Sequence, residues 1–196
     1  MSKPEPDSKA SNPDVIQFAN CLNDIEHRIV KRLRQDAETT EGREQLIRST
    51  GAGDPQLIEE LIDLSITAEG LISLRLFPLV LVAWAEDRAD GPERKTVMEE
   101  ARRIGIRDDS VPFVLLDQWM TRQPPGITVD AWKRSLRLDF ARMSPLAQQK
   151  LIRMTEKQMV AVAKASGGIL GLGKVSKKER ILIDHLVSTM EEQTHS

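Results

Sequence analysis

The sequence predicts an all-α protein of about eight or nine helices in one compact domain. Apolar residues recur at three- and four-residue steps along most of the chain, which is the spacing of amphipathic helices. Capping residues, several of them followed by proline, separate these segments. Strand evidence is thin, because no segment alternates cleanly between apolar and polar residues and tyrosine is absent from the 196 residues.

Three regions are predicted along the chain. Residues 1–12 are polar and rich in proline and serine, which is typical of a disordered tail. Residues 13–66 are predicted to be an N-terminal helical extension packed on the core, and residues 67–193 the main helical domain. The first helix starts at Asn12-Pro13 and runs to about Glu38. Its predicted buried stripe consists of Val15, Phe18, Leu22, Ile25, Ile29 and Leu33.

Further helices follow from the same signals. A short one is expected at Gly42–Ser49, a third after Asp54-Pro55, and a fourth from Thr67 to about Asp87. Pro78 should break that fourth segment into two helices or bend it. The remaining helices are expected at about 91–105, 111–122, 129–142, 145–166 and 177–192, with start signals at Asp90, Ser110, Thr128, Ser144 and Ser176.

Composition excludes several classes of protein. One cysteine, Cys21, rules out a disulfide framework and a thiolate zinc site, and we expect a reduced thiol without a catalytic role. The longest apolar run, Leu79–Trp84, is far shorter than the roughly 20 residues that span a bilayer, so membrane insertion is not expected. The first residues lack the apolar segment of a signal peptide, which predicts a cytoplasmic protein.

Charge is unevenly distributed although the net charge is only −2. Residues 1–100 contain 12 Lys and Arg against 20 Asp and Glu, whereas residues 101–196 contain 16 against 10. This pattern is typical either of an acidic and a basic face that dock, within the molecule or between copies, or of ordinary solvated helix faces.

Two stretches of the chain, residues 79–104 and 159–190, resemble each other. Ala83 and Ala85 match Ala163 and Ala165 at an offset of 80, and Glu93-Arg94 matches Glu179-Arg180 at an offset of 86. Each copy reads as a helix, a polar or glycine-rich turn and a capped helix, and two such units can bury their apolar faces on each other. The second helices are expected to pack near each other, in one core, through Val97, Ala101, Ile183 and Val187.

These stretches resemble a known family. The segment AWAEDRADGPERKTVMEEA is similar to the first-half signature of TerB-like domains, A-x-A-D-G-x-x-x-x-E-R, and GGILGLGKVSKKERILIDHL is similar to their second half. The resemblance covers about residues 68–192. It implies a bacterial, tellurite-resistance-type all-α fold, an association with stress or membrane-linked complexes, and an acidic loop that acts as a cation site.

The acidic loop has two interpretations. Glu86, Asp87, Asp90 and Glu93 offer the oxygen ligands that calcium and magnesium prefer. Asp90-x-x-Glu93 is also spaced as a capping box, and Ser176 with Glu179 repeats that spacing in the second copy. Because both copies keep the capping pattern while only one keeps the acids, we favour capping. A metal site at Glu86, Asp87 and Asp90 is the alternative.

The remaining motifs do not indicate a catalytic or nucleotide-binding function. Gly168–Lys174 approaches a phosphate-binding loop but lacks the following Ser or Thr and a preceding strand. The histidines His27, His185 and His195 are scattered, so acid–base catalysis is unsupported. The basic segment His27–Arg34 is interpreted as a solvated helix face rather than a nucleic-acid or lipid contact, because acids flank it and aromatic residues are missing. The three tryptophans are expected in the core.

The sequence therefore predicts a non-enzymatic helical interaction module with an unidentified protein partner. Self-association is an open possibility. No cofactor, no nucleic-acid partner and no membrane insertion are expected. The alternative function is a divalent-cation-binding or cation-sensing domain that uses the acidic loop 86–93.

Overall fold

The computed structural model describes residues 13–51, 54–166 and 174–195. The predictions for the tail 1–12, for the Cys21 side chain and for the loop before Lys174 lie outside the described residues. Within those ranges the chain forms nine α-helices and two short 3-10 helices, and no strand. The α-helices are α1 Pro13–Glu38, α2 Thr40–Thr50, α3 Pro55–Asp63, α4 Phe77–Ala83, α5 Gly91–Arg103, α6 Val111–Thr121, α7 Ile127–Ala141, α8 Pro145–Ser166 and α9 Lys177–Glu192. The 3-10 helices are Glu69–Leu76 and Gln193–His195. The prediction of an all-α protein is confirmed.

Most helix starts use the predicted caps. Asp54 accepts hydrogen bonds from the backbone N–H groups of Gln56 (3.1 Å) and Leu57 (3.2 Å), with Pro55 in the first turn. The Ser144 hydroxyl accepts one from the Ala147 N–H at 3.3 Å. Each cap accepts a hydrogen bond from a backbone N–H that has no acceptor inside its own helix. The cap therefore favours a helix that begins directly after it.

Two of the predicted start residues do not cap with their side chains, although α6 begins directly after Ser110 as predicted. The Ser110 hydroxyl donates to the carbonyl of Arg107 (2.6 Å) and caps no N–H of α6. Helix α7 begins at Ile127, before Thr128, whose buried hydroxyl oxygen has no hydrogen-bond partner among the described residues. Serine and threonine hydroxyls bond equally well to nearby carbonyls, so their presence before a helix does not decide how they are used.

Pro78 breaks the fourth segment into two helices. The chain runs as a 3-10 helix to Leu76 and then starts α4, with Pro78 in its first turn. Proline lacks the N–H that would continue an α-helix and is best accommodated at a helix start. The second helix ends at Ala83 rather than near Asp87, because Trp84 and the residues after it form turns.

The repeated hairpins α4–α5 and α8–α9 pack crosswise. Helices α4 and α8 contact each other, α5 packs mainly on α8, and α9 packs on both α8 and α4. Helices α5 and α9 thus share one core, and each packs on the first helix of the opposite hairpin. Val97, Ala101 and Ile183 are buried in that core, with Val187 packed against it.

The N-terminal helices join the same hydrophobic core through Leu33, Leu46 and Leu57. Trp119 and Trp132 are buried, and both rings lie against Phe77, with centroids 5.6 Å and 6.4 Å apart. Trp84 is half-buried, and its indole N–H donates to the Trp119 carbonyl at 2.8 Å. The prediction that the tryptophans belong to the core is confirmed, since each ring contributes packing area there.

The predicted stripe of α1 is buried only at its C-terminal end. Leu33 and Ala37 are buried, whereas Ile25 is 48% and Ile29 39% exposed. The side chains of Val15, Phe18 and Leu22 lie outside the described residues. The prediction of a buried stripe is therefore wrong at Ile25 and Ile29: the helix is amphipathic there, but no part of the described fold covers it.

None of the helices in the described part of the chain is both long enough and apolar enough to cross a membrane.

Candidate functional site

The acidic loop between α4 and α5 is organised by a capping box. The Asp90 carboxylate accepts the backbone N–H of Glu93 at 2.9 Å, and the Glu93 carboxylate accepts that of Asp90 at 2.9 Å. Ser176 and Glu179 make the same reciprocal pair at the start of α9, at 3.3 Å and 2.6 Å. Glu93 and Glu179 are both buried. These bonds satisfy backbone donors that the first helical turn leaves open, so both predicted capping boxes are present.

The three candidate metal ligands do not converge. Asp90 faces its own helix start, whereas Glu86 is exposed and the Asp87 side chain is 93% exposed. Asp87 reaches toward the second hairpin, where its carboxylate lies 3.9 Å from the Lys178 ammonium. The described residues contain no group of three or more histidine, cysteine, aspartate or glutamate side chains arranged to hold a metal ion.

A cavity of about 630 Å³ lies on another side of the molecule. Its walls come from the C-terminal end of α2, the 3-10 helix Glu69–Leu76, α7 and the first half of α8, with Met190 of α9 and Pro78 of α4 completing it. The apolar lining residues are Leu71, Ile72, Leu74, Pro78, Trp132, Leu136, Leu138, Met143, Ala147, Leu151, Met154 and Met190. This volume and lining are typical of pockets for small organic ligands.

The cavity uses equivalent positions of the two repeats. The offset of 80 that relates Ala83 to Ala163 extends backwards along the chain, matching Leu71 with Leu151 and Leu74 with Met154. All four of these side chains line the cavity. The two repeats therefore meet at the cavity as well as in the core.

Three charged side chains interrupt the apolar lining: Arg75, Lys150 and Asp139. Arg75 occupies the position that corresponds to Thr155 in the second repeat, and Thr155 also lines the cavity. Partial desolvation of the Asp139 carboxyl raises its pKa above the ordinary value of 3.8, although the residue remains exposed at the surface and the positive charges of Arg142 and Arg75 partly oppose the shift. Arg75 acts on Asp139 only through its charge, and neither Arg75 nor Lys150 makes a hydrogen bond or an ion pair with another residue that the structure describes.

Arg142 fixes the α2 wall of the cavity. Its guanidinium donates to the Thr50 carbonyl, at the C-terminal end of α2 where Ser49 and Thr50 line the cavity. Gly51 follows with φ of 61°, the left-handed conformation that ends many helices and that glycine adopts without strain. A Cβ at Gly51 would lie 1.7 Å from an Arg142 nitrogen, so glycine also leaves room for the guanidinium.

The remaining sequence motifs stay on the surface. His27 and His185 are exposed on α1 and α9. In the basic segment of α1, Arg34 bonds to Glu38 (3.0 Å) and Asp63 (3.2 Å), which is the behaviour of a solvated helix face. The sequence reasoning did not find Arg75, Lys150 or Asp139. One signal was available for Arg75, a lone charge inside the apolar run LISLRLFPLVLV.

Comparison of the chain with models of known protein families, with curated proteins and with solved structures finds no match in any of the three. The similarity to TerB-like domains therefore rests on the two quoted segments alone.

Proposed function

We propose that the protein is a non-enzymatic binding module whose ligand places an apolar body in the cavity between the 3-10 helix Glu69–Leu76, α7 and α8. The observation that carries this proposal is the mainly apolar lining of a cavity of about 630 Å³, within the size range of ligand pockets. The free energy of the system falls when an apolar ligand leaves water and covers the apolar surface of such a cavity.

The lining also favours binding over catalysis. It contains one carboxylate, Asp139, and among its described residues neither histidine nor cysteine. A hydrolytic or group-transfer site needs a nucleophile within hydrogen-bond reach of a base. Ser49 and Ser135 line the cavity but make no hydrogen bond to Asp139 in the described structure.

Binding of a neutral fluorescent probe tests the proposal. N-phenyl-1-naphthylamine, an uncharged dye that brightens in apolar surroundings, should bind the wild type saturably at one site. Ala147→Trp should weaken that binding strongly, because Ala147 lines the cavity and indole occupies ligand space. The matched control is Gln149→Trp, an exposed position two residues along α8 that does not line it. Absent binding, or equal binding by both variants, would refute the proposal.

A second candidate function is self-association through α1. Val15, Phe18, Leu22, Ile25 and Ile29 follow alternating three- and four-residue steps, the narrow seam of a coiled coil rather than the wider stripe of a helix on a globular core. Ile25 and Ile29 are exposed, which supports a second copy of this chain as the surface that covers them. The protein-interaction role and the cytoplasmic location expected above remain proposals, as does the stress or membrane-complex association.

Light scattering after size exclusion tests self-association. The wild type should elute as a dimer, and the double variant Ile25→Ser/Ile29→Ser as a monomer with an unchanged helical spectrum. Ile47→Ser, at an apolar α2 position that is 47% exposed, is the control and should remain dimeric. A wild type that stays monomeric at its highest soluble concentration excludes this second function.

A further inference from the structure

We propose that the ligand of this cavity is a single-chain amphiphile with an anionic head group, whose chain lies among the apolar lining residues and whose head is held by Arg75 and Lys150. This inference rests on the proposed function, since it names the class of ligand that the same cavity takes.

The first support is the charge of the lining. It contains two cations, Arg75 and Lys150, and a single anion, Asp139. The field of Arg142 also reaches Asp139, which adds a third positive charge close by. An anion that reaches these side chains meets more positive than negative charge, and the attraction acts at short range because Arg75 and Lys150 are exposed to solvent.

The second support is the availability of the two cations. Seven of the described arginines are held in ion pairs, for example Arg43 with Glu59, Arg94 with Asp117 and Arg102 with Asp108. Arg75 and Lys150 make no hydrogen bond or ion pair with another described residue, so their N–H donors are available to a ligand. A guanidinium offers two parallel N–H groups to a carboxylate or phosphate, and an ammonium adds a point charge.

The third support is the arrangement of apolar and charged groups. Arg75 and Lys150 are exposed, whereas Leu74, Trp132 and Leu136 of the same lining are buried. A ligand that spans both environments therefore needs an apolar chain inside and a charged end toward solvent. An amphiphile has that shape, whereas a uniformly apolar molecule would make no use of the two cations.

Competition between ligands of equal chain length tests the inference. Dodecanoate, dodecanol and dodecylamine, each below its micellar concentration, are used to displace N-phenyl-1-naphthylamine from the full chain. Dodecanoate should displace the dye at a concentration about tenfold lower than dodecanol does, because a hydrogen bond to a charged group contributes at least that much to binding. Dodecylamine should be the weakest competitor.

Variants assign the preference to its residues. Arg75→Gln and Lys150→Gln should each reduce the advantage of dodecanoate over dodecanol about threefold to tenfold, with the two competitors compared within the same variant so that any change in dye affinity cancels. Lys157→Gln, at an exposed α8 position outside the lining, is the matched control and should keep the full advantage. Asp139→Asn should increase it, because a negative charge beside the head group is removed.

The outcomes separate the two proposals. If the dye does not bind the wild type, the proposed function fails. If the dye binds but dodecanoate and dodecanol compete equally, or dodecylamine competes best, the cavity is a binding site and the anionic ligand is wrong. If Lys157→Gln loses the preference for dodecanoate as strongly as Arg75→Gln does, the preference comes from net charge in general. The assignment of the head-group site to Arg75 and Lys150 would then be wrong.

Discussion

The two helical hairpins have related sequences but differ in their first helices. In the first hairpin, Pro78 divides the chain into a 3-10 helix and the seven-residue α4; in the second, Gln158 occupies the corresponding position and α8 continues for 22 residues. The second helices, by contrast, start alike, each with a capping box and a buried glutamate. The repeated features support the fold. One difference lies in the cavity lining, where Arg75 corresponds to Thr155, and another lies in the loop before the second helix, where only the first copy has acids.

The largest expected effect comes from giving the second hairpin the proline of the first. Gln158→Pro should lower the free energy of unfolding by about 3 kcal/mol or more, because proline in a helix interior removes a backbone hydrogen bond and collides with the preceding turn. Helix α8 contacts α4, α5 and α9, so the damage should spread through the core. Urea denaturation measures the change.

Two variants separate the backbone effect from the loss of the side chain. The Gln158 amide donates to the Glu100 carboxylate at 2.8 Å, so Gln158→Ala removes that bond alone and should cost about 1.5–3 kcal/mol, the range for a hydrogen bond to a charged group. Pro78→Ala should cost less than Gln158→Pro, because a proline in the first turn of α4 breaks no helical bond. Equal losses for Gln158→Pro and Gln158→Ala would mean that the uninterrupted α8 is not what distinguishes the second hairpin.

Local signals explain which parts of this comparison the sequence predicted. Asp90 with Glu93 and Ser176 with Glu179 were identified because a capping box depends on residues only three positions apart. Pro78 was identified because its effect on the backbone is intrinsic. The cavity was not, because its walls come from helices far apart in the chain, and only the packed fold brings Arg75, Asp139 and Lys150 to one surface.

Periodicity also leaves the neighbours of an apolar face open. It placed Ile25 and Ile29 on the apolar face of α1, but it does not tell whether another element of the fold covers that face. It likewise placed Val97 and Ile183 in one core, where both are buried as expected. That α5 and α9 each pack on the first helix of the opposite hairpin follows from topology, which periodicity does not contain.

The next largest effect on stability is expected from the helix caps, whose variants test whether the second helices of the two hairpins start in the same way. Asp90→Ala and Ser176→Ala should each lower the free energy of unfolding by about 0.5–2 kcal/mol, since each leaves a first-turn N–H without its acceptor. The exchanges Asp90→Ser and Ser176→Asp should be nearly neutral, because both residues cap well. Ser110→Ala is the control and should cost less, since Ser110 caps no N–H of α6. A harmless Asp90→Ala would show that the acid serves something other than the cap.

A smaller effect is expected at Asp139, which lies near Arg75 of the first repeat. Its pKa is raised in the folded protein, so the folded state binds this proton more tightly than the unfolded chain does. The charged carboxyl therefore disfavours folding at neutral pH, and this penalty disappears as the pH falls through the raised pKa. Asp139→Asn should melt slightly above the wild type at pH 7, with a difference that shrinks toward about pH 4. The exposed Asp184→Asn on α9 is the control, and an advantage that grows as the pH falls would contradict the raised pKa.

The smallest effect on stability is expected at Asp87. Its carboxylate forms an exposed ion pair with Lys178 of the second hairpin. Asp87→Asn should change the free energy of unfolding by less than about 0.5 kcal/mol, because pairs of exposed charges contribute little. The substitution keeps the backbone intact, since Asp87 has φ of 67° and asparagine tolerates this left-handed conformation as well as aspartate does.

Melting of the wild type and of Asp87→Asn with and without millimolar calcium or magnesium tests whether the acidic loop binds a cation. A divalent ion at a hundred times its dissociation constant would raise the stability by about 2.7 kcal/mol. We expect neither protein to shift, because Glu86, Asp87 and Asp90 do not converge; a calcium-dependent rise in the wild type that Asp87→Asn abolishes would make the first hairpin a cation site that the second one lacks.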